Sequence, residues 1–178
     1  AGPYARRIFP SPFGGWWLLI HEIDDNTDRL QLSGGAGDVN FASGGTVSEN
    51  LIFHGTLAGW AISDPDVELN NLSGEAQNAS VNVGGIGPGL TWYSMPANLY
   101  LSGSILFSTL TVDTDFGDYD SDVGVALDLT VGKEWWVSDN WGLGVAGQVF
   151  FGTSKEKDPA DYSWTTKAFS VALSATYN

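Results

Sequence analysis

The sequence predicts an all-β fold, a closed antiparallel transmembrane β-barrel of about eight strands with short periplasmic turns and long acidic extracellular loops. Three observations predict it. Stretches of about ten residues set apolar side chains at every second position, the length a tilted strand needs to cross a bilayer. The connections between them alternate between short and long, and tryptophans gather beside the short ones.

The C-terminal half carries the clearest period. Leu99, Leu101, Ile105 and Phe107 share one parity, and Tyr100, Ser102, Ser104 and Ser108 the other. Val123, Val125, Leu127, Leu129 and Val131 alternate with Gly124, Ala126, Asp128, Thr130 and Gly132. Leu143, Val145, Val149 and Phe151 oppose Gly142, Gly144, Ala146 and Gln148, and Phe169, Val171, Leu173, Ala175 and Tyr177 oppose Ala168, Ser170, Ala172, Ser174 and Thr176.

The N-terminal half is less regular. Residues 13–23 read as a first strand with two apolar faces, and Leu51, Phe53 and Leu57 oppose Ile52, His54, Thr56 and Ala58. Leu30 and Leu32 lie on one parity and Val39 and Phe41 on the other, which predicts a β-bulge within Ser33–Gly37, because one extra residue flips every later side chain. Val81 and Val83 are likewise out of phase with Leu90 and Trp92, and Pro88 lacks an N–H for the ladder, so a second bulge is expected there.

The chain reads as a barrel over 13–178 preceded by an N-terminal periplasmic arm, 1–12, in one domain of 178 residues. Short turns are expected at Val47–Asn50, Ser94–Asn98 and Val137–Asn140, with long acidic connections between. Short turns of such barrels face the periplasm, which places both termini there. Trp16, Trp17, Trp92, Trp135, Trp136, Trp141 and Tyr177 then fall at the short-turn end and are expected to form an aromatic belt at the membrane interface, with Trp60, Trp164 and Tyr162 opposite.

The formal charge of −14 excludes a surface that tracks nucleic-acid phosphates. No run of about 18 apolar residues exists, which excludes a spanning helix but not a spanning barrel. Cysteine is absent, so no disulfide or thiolate metal site contributes.

Which face is inside decides between two eight-stranded architectures. A soluble lipocalin-like barrel is the competing one, and Gly14-Gly15-Trp16 mimics its entry motif. Such a barrel shows water a charged face, whereas the second face here is Gly, Ala, Ser and Thr, which suits a narrow lumen. The apolar face is therefore expected to touch lipid. Asp128 follows into the lumen, because an ionised carboxylate is costly in hydrocarbon, with Gln148 and Ser104 as its expected neighbours. His54 is expected there too, hydrogen-bonded rather than metal-bound.

Across 13–178 the pattern resembles the small outer-membrane β-barrel superfamily that includes OmpX, OmpW and the transmembrane domain of OmpA, and the last strand, Ala168–Asn178 with Tyr177 penultimate, is similar to its C-terminal targeting signal. The resemblance implies the bacterial outer membrane, contact with its lipid and lipopolysaccharide, and no resident cofactor. Some such barrels are lipid-modifying enzymes with a rim histidine, and His21 beside Glu22 is the one residue that fits, but no nucleophile motif accompanies it, so no catalytic residue is expected. The resemblance leaves a structural or surface-interaction barrel, acting through its acidic loops on a protein partner or on further copies, and as the alternative a narrow OmpW-like channel. Asp113, Asp115, Asp118, Asp120 and Asp122 alternate as Ca²⁺ ligands do but lack the closing Glu of an EF-hand; a solvated loop is the first reading and a Ca²⁺ site the second.

Overall fold

The computed structural model describes residues 4–10, 16–23, 30–69, 72–95, 97–115, 117–155 and 163–177, with 4–10, 16–23 and 119 described by backbone alone. These residues form twelve strands and no helix: β1 Tyr4–Pro10, β2 Trp16–Ile23, β3 Leu30–Ser48, β4 Leu51–Ser63, β5 Asp66–Leu69, β6 Leu72–Glu75, β7 Ser80–Ser94, β8 Leu99–Thr114, β9 Gly117–Asp120, β10 Gly124–Trp136, β11 Trp141–Lys155 and β12 Ser163–Tyr177. Every pairing is antiparallel. The long strands neighbour one another in the order β3-β4-β7-β8-β10-β11-β12, and β1 and β2 each pair with both β12 and β3. The path of pairings that leaves β3 through β4 thus comes back to β3 through β12 and the two N-terminal strands.

Twelve strands replace the expected eight, for two reasons. Three of them, β5, β6 and β9, lie in acidic segments read as loops: β5 adds to β3 beyond the end of β4, β6 pairs with β5, and β9 folds back on β8. The fourth is β1. Residues 4–10 fall in the stretch expected to be an arm outside the sheet, yet Arg6 stands opposite Tyr177 and Ser43, and Pro10 opposite Val39. β1 and β2 occupy successive heights of the same position between β12 and β3.

The short turns lie where expected, and Asn50 and Asn98 close two of them with φ of 65° and 52°. Asparagine tolerates this left-handed conformation better than other residues with a Cβ.

Buried and exposed side chains alternate along the central parts of the long strands. On β10, Ala126, Asp128 and Thr130 are buried, whereas Val125, Leu127 and Val131 are 52%, 42% and 57% exposed. The apolar face is the outer one, the reverse of a soluble barrel. Neither expected bulge exists. β3 keeps continuous register with β2 from Gln31 to Ala36 and with β4 from Ala36 to Thr46, shifting only between Thr46 and Ser48, and β7 runs unbroken against β4 from Ser80 to Trp92. Pro88 leaves only a gap, since neither Gly87 nor Pro88 has a partner on β8.

Leu32, Val81 and Val83 face inward, so it is the chemistry of the interior that changes with depth. Toward the long connections the inner face is an apolar layer that includes Leu32, Trp60, Ile62, Val81, Leu106 and Phe150. Polar side chains fill the middle, and a smaller layer of Ile52, Tyr93, Tyr100, Ala146 and Ala172 lies toward the short turns. Gly132 makes room in that last layer: a Cβ there would come within 2.4 Å of the ring of Tyr100, its partner across the sheet.

Candidate functional site

The middle layer holds the polar residues singled out in the sequence. Asp128 is 2% exposed. One of its oxygens accepts from the Gln148 amide and, at 3.3 Å, from the Asn40 amide; the other accepts from the Thr130 hydroxyl at 3.3 Å. The carboxylate is thereby tied to β3, β11 and its own strand, and three donors offset the removal of its oxygens from water. Ser104 faces Asp128 across the β8–β10 pairing but makes its hydrogen bond, 2.8 Å long, to Thr56.

Ser104 belongs to a second network centred on His54, 4% exposed. The two ring nitrogens lie 2.9 Å from the hydroxyls of Thr56 and Thr91, and Thr91 donates onward to Ser102 at 2.8 Å. A neutral ring with its proton on Nε2 satisfies this run, since Thr91 then accepts from the histidine while donating to Ser102. Both nitrogens are engaged by hydroxyls, an arrangement suited to fixing strands β4, β7 and β8 to one another.

Glu134, which the sequence reading did not single out, is buried closer to the short turns, 1% exposed. It accepts from the Thr176 hydroxyl at 2.7 Å and the Tyr93 hydroxyl at 3.3 Å. Its parity, shared with Asp128 and Thr130, was the available signal. Lys133 beside it turns outward, donates to the Ala97 carbonyl at 2.9 Å and lies 6.0 Å from the Trp135 ring centre. This is how a lysine stem lies along an apolar surface while its ammonium reaches polar atoms.

The aromatic belt is divided. Trp92, Trp135, Trp136, Trp141 and Tyr177 all lie at the short-turn end and are 36–52% exposed, with Trp141 and Tyr177 edge to face at 5.2 Å. Trp16 and Trp17 do not share that level. Because β1 takes the end beside Tyr177, β2 begins higher, with Trp16 opposite Ala36 and Trp17 opposite Gly35 and Phe169; their side chains, like that of His21, lie outside the described residues. Of the opposite belt, Trp60 is 2% exposed inside the apolar layer, Trp164 packs against that layer, and Tyr162 lies outside the described residues.

The five aspartates do not gather. β8 and β9 hold Asp113 opposite Asp118, and the side chains have separate partners: Ser80 and Asn82 donate to Asp113, Asn78 to Asp115, and Thr111 to Asp120. Among the described residues no three His, Cys, Asp or Glu side chains stand together as a metal site. Millimolar calcium is therefore expected to leave the thermal midpoint unchanged; a cation held by the folded hairpin would raise it.

No protein-family model matches the chain, and no curated protein sequence does. Solved structures do. Neisserial surface protein A is 11% identical over 98% of this chain and 96% of its own, with a TM-score of 0.58. OprG from Pseudomonas aeruginosa is 9% identical over 98% and 96%, with a TM-score of 0.51. The outer membrane protease OmpT from Escherichia coli is 10% identical over 98% and 96%, also at 0.51. The chain has the fold of small outer-membrane β-barrels, a fold that carries both proteases and proteins with no enzymatic name, so function rests on this chain's own residues.

Proposed function

We propose that the protein is a bacterial outer-membrane barrel, closed into a ring by β1 and β2, that neither conducts a solute nor catalyses a reaction, and that acts through its long acidic connections. Its apolar outer face meets lipid, and the short turns and both termini face the periplasm. The carrying observation is the filled interior. Tyr100, Leu106, Glu134, Gln148, Phe150 and Ile62 are among the largest fully buried side chains, and they occupy all three interior layers. A conduit needs a continuous wet path, and here an apolar layer stands across it. The acidic end suits a basic protein surface, which opposite charge would steer onto it.

Purified protein reconstituted in planar bilayers is expected to give no unitary conductance. Steady opening events of constant size would overturn this reading and favour the narrow channel. The membrane assignment has its own measurement: the protein is expected to need detergent for extraction and to migrate differently on gels before and after boiling. Recovery as a detergent-free soluble monomer would remove it.

A further inference from the structure

Above the apolar layer, at the long-connection end, lies a recess of about 350 Å³ between the starts of β3, β7 and β12, the end of β8 and the β5–β6 hairpin. Leu30, Val67, Val112 and Trp164 line it and at the same time pack on the buried apolar layer, which forms its floor; Ala76 and Ala79 line the side toward the hairpin. Among the described residues its side-chain polar atoms are confined to Thr114 and the indole N–H of Trp164, and the Thr114 hydroxyl already donates to the Gly117 carbonyl at 2.9 Å.

We propose that this recess is a binding site for a small uncharged apolar molecule, of the size of a two-ring aromatic or a short alkyl chain. Water needs two to four polar partners to occupy a cavity stably, and these walls provide almost none. Left empty, the wall atoms forgo dispersion contacts that an apolar guest restores. The volume is roughly twice that of a 150 Å³ apolar cavity that stays dry and admits benzene, and it lies at the low end of ligand pockets, about 300–1,000 Å³. Desolvation sets the selectivity. The lining side chains offer a carboxylate no donor beyond the Trp164 indole and the Thr114 hydroxyl, so a carboxylated amphiphile loses its hydration uncompensated and a neutral one does not. The recess rests on the same apolar layer that closes the interior, so the proposed site shares that part of the functional reading, while conductance and saturable labelling are measured separately.

The test is photolabelling of the full chain in lipid nanodiscs with 3-trifluoromethyl-3-phenyldiazirine, located by peptide mass spectrometry, with its para-carboxylate as the charged counterpart. Labelling of Val67, Val112 and Trp164 is expected to saturate with the neutral probe and to be competed away by excess naphthalene, while lipid-facing Val125 and Leu127 label in proportion to concentration. Saturable labelling is expected to disappear with the carboxylate. Ala79→Trp, which fills the recess, is expected to abolish the saturable component and leave lipid-facing labelling unchanged. Should that variant lose heat-modifiable migration, Ala76→Phe fills the same space from the hairpin side. Recess residues that label without saturation, or saturable labelling that survives the filling variant that folds, would overturn the proposal.

Discussion

Leu127→Arg is expected to cost about 2–4 kcal/mol of folding stability in a bilayer, the penalty for a cation on the lipid face near the midplane. Leu127 is 42% exposed at the centre of β10, and its partners across the sheet, Ile105 and Phe151, are themselves 60% and 47% exposed. The arginine would thus enter an apolar band with no carboxylate from a neighbouring outer position to receive it. Thr130→Asn, on the inner face of the same strand, is the matched control. Asparagine keeps a donor within reach of Asp128, so its cost is expected to stay below about 1 kcal/mol, the worth of an ordinary intramolecular hydrogen bond. Denaturant titration of refolding into lipid vesicles measures both. Equal stabilities for the Leu127→Arg variant and the parent would mean that this face does not meet hydrocarbon.

The contrast between those two positions was readable from the sequence, and the reason is local. Along β8, β10, β11 and β12 most inner positions hold Gly, Ala, Ser or Thr, with Asp128 and Gln148 among them, against Leu, Val and Phe outside. Hydropathy therefore alternates cleanly and parity assigns the faces. On β3, β4 and β7 the signal fails where the inner face is also apolar: with Leu32, Trp60, Val81 and Val83 pointing inward, neither parity is polar. A change of interior chemistry with depth then imitates a slip of register, and an interior tryptophan imitates a belt residue.

Other features lay beyond periodicity. Tyr4–Pro10 carries Arg6, Arg7 and a terminal Pro10, with no apolar alternation, and becomes a strand because both β12 and β3 offer it backbone partners. That placement lifts Trp16 and Trp17 away from the short-turn end, which no count of turns reveals. The aspartates from Asp113 to Asp122 have the spacing of a chelating loop, but a hairpin ladder sets Asp113 opposite Asp118, and Asp113, Asp115 and Asp120 each accept from neighbouring Ser, Thr or Asn donors. Glu134 sits between Lys133 and Trp135, where an interfacial reading is natural; only its even number, in phase with Asp128, marks it as inward.

Asp128→Ala is expected to destabilise the protein by about 2–4 kcal/mol, because buried donors left without an acceptor cost about 1–3 kcal/mol each and some regain partners by relaxing. The carboxylate gathers Gln148 from β11, Asn40 from β3 and Thr130 from its own strand. β3 and β10 are not paired in the sheet, so the contact to Asn40 spans the interior rather than reinforcing a ladder. Its loss is felt as loosened packing of opposite walls. Ser170 supplies the comparison. It is fully buried at 0% exposure, stands across the sheet from Gln148, and its hydroxyl has no hydrogen-bond partner among the described residues. Ser170→Ala removes a buried hydroxyl that satisfies nothing, so stability is expected to hold or rise slightly. The same vesicle titration reads both variants. A cost for Asp128→Ala no larger than that for Ser170→Ala would mean that Asp128 does not join the two walls.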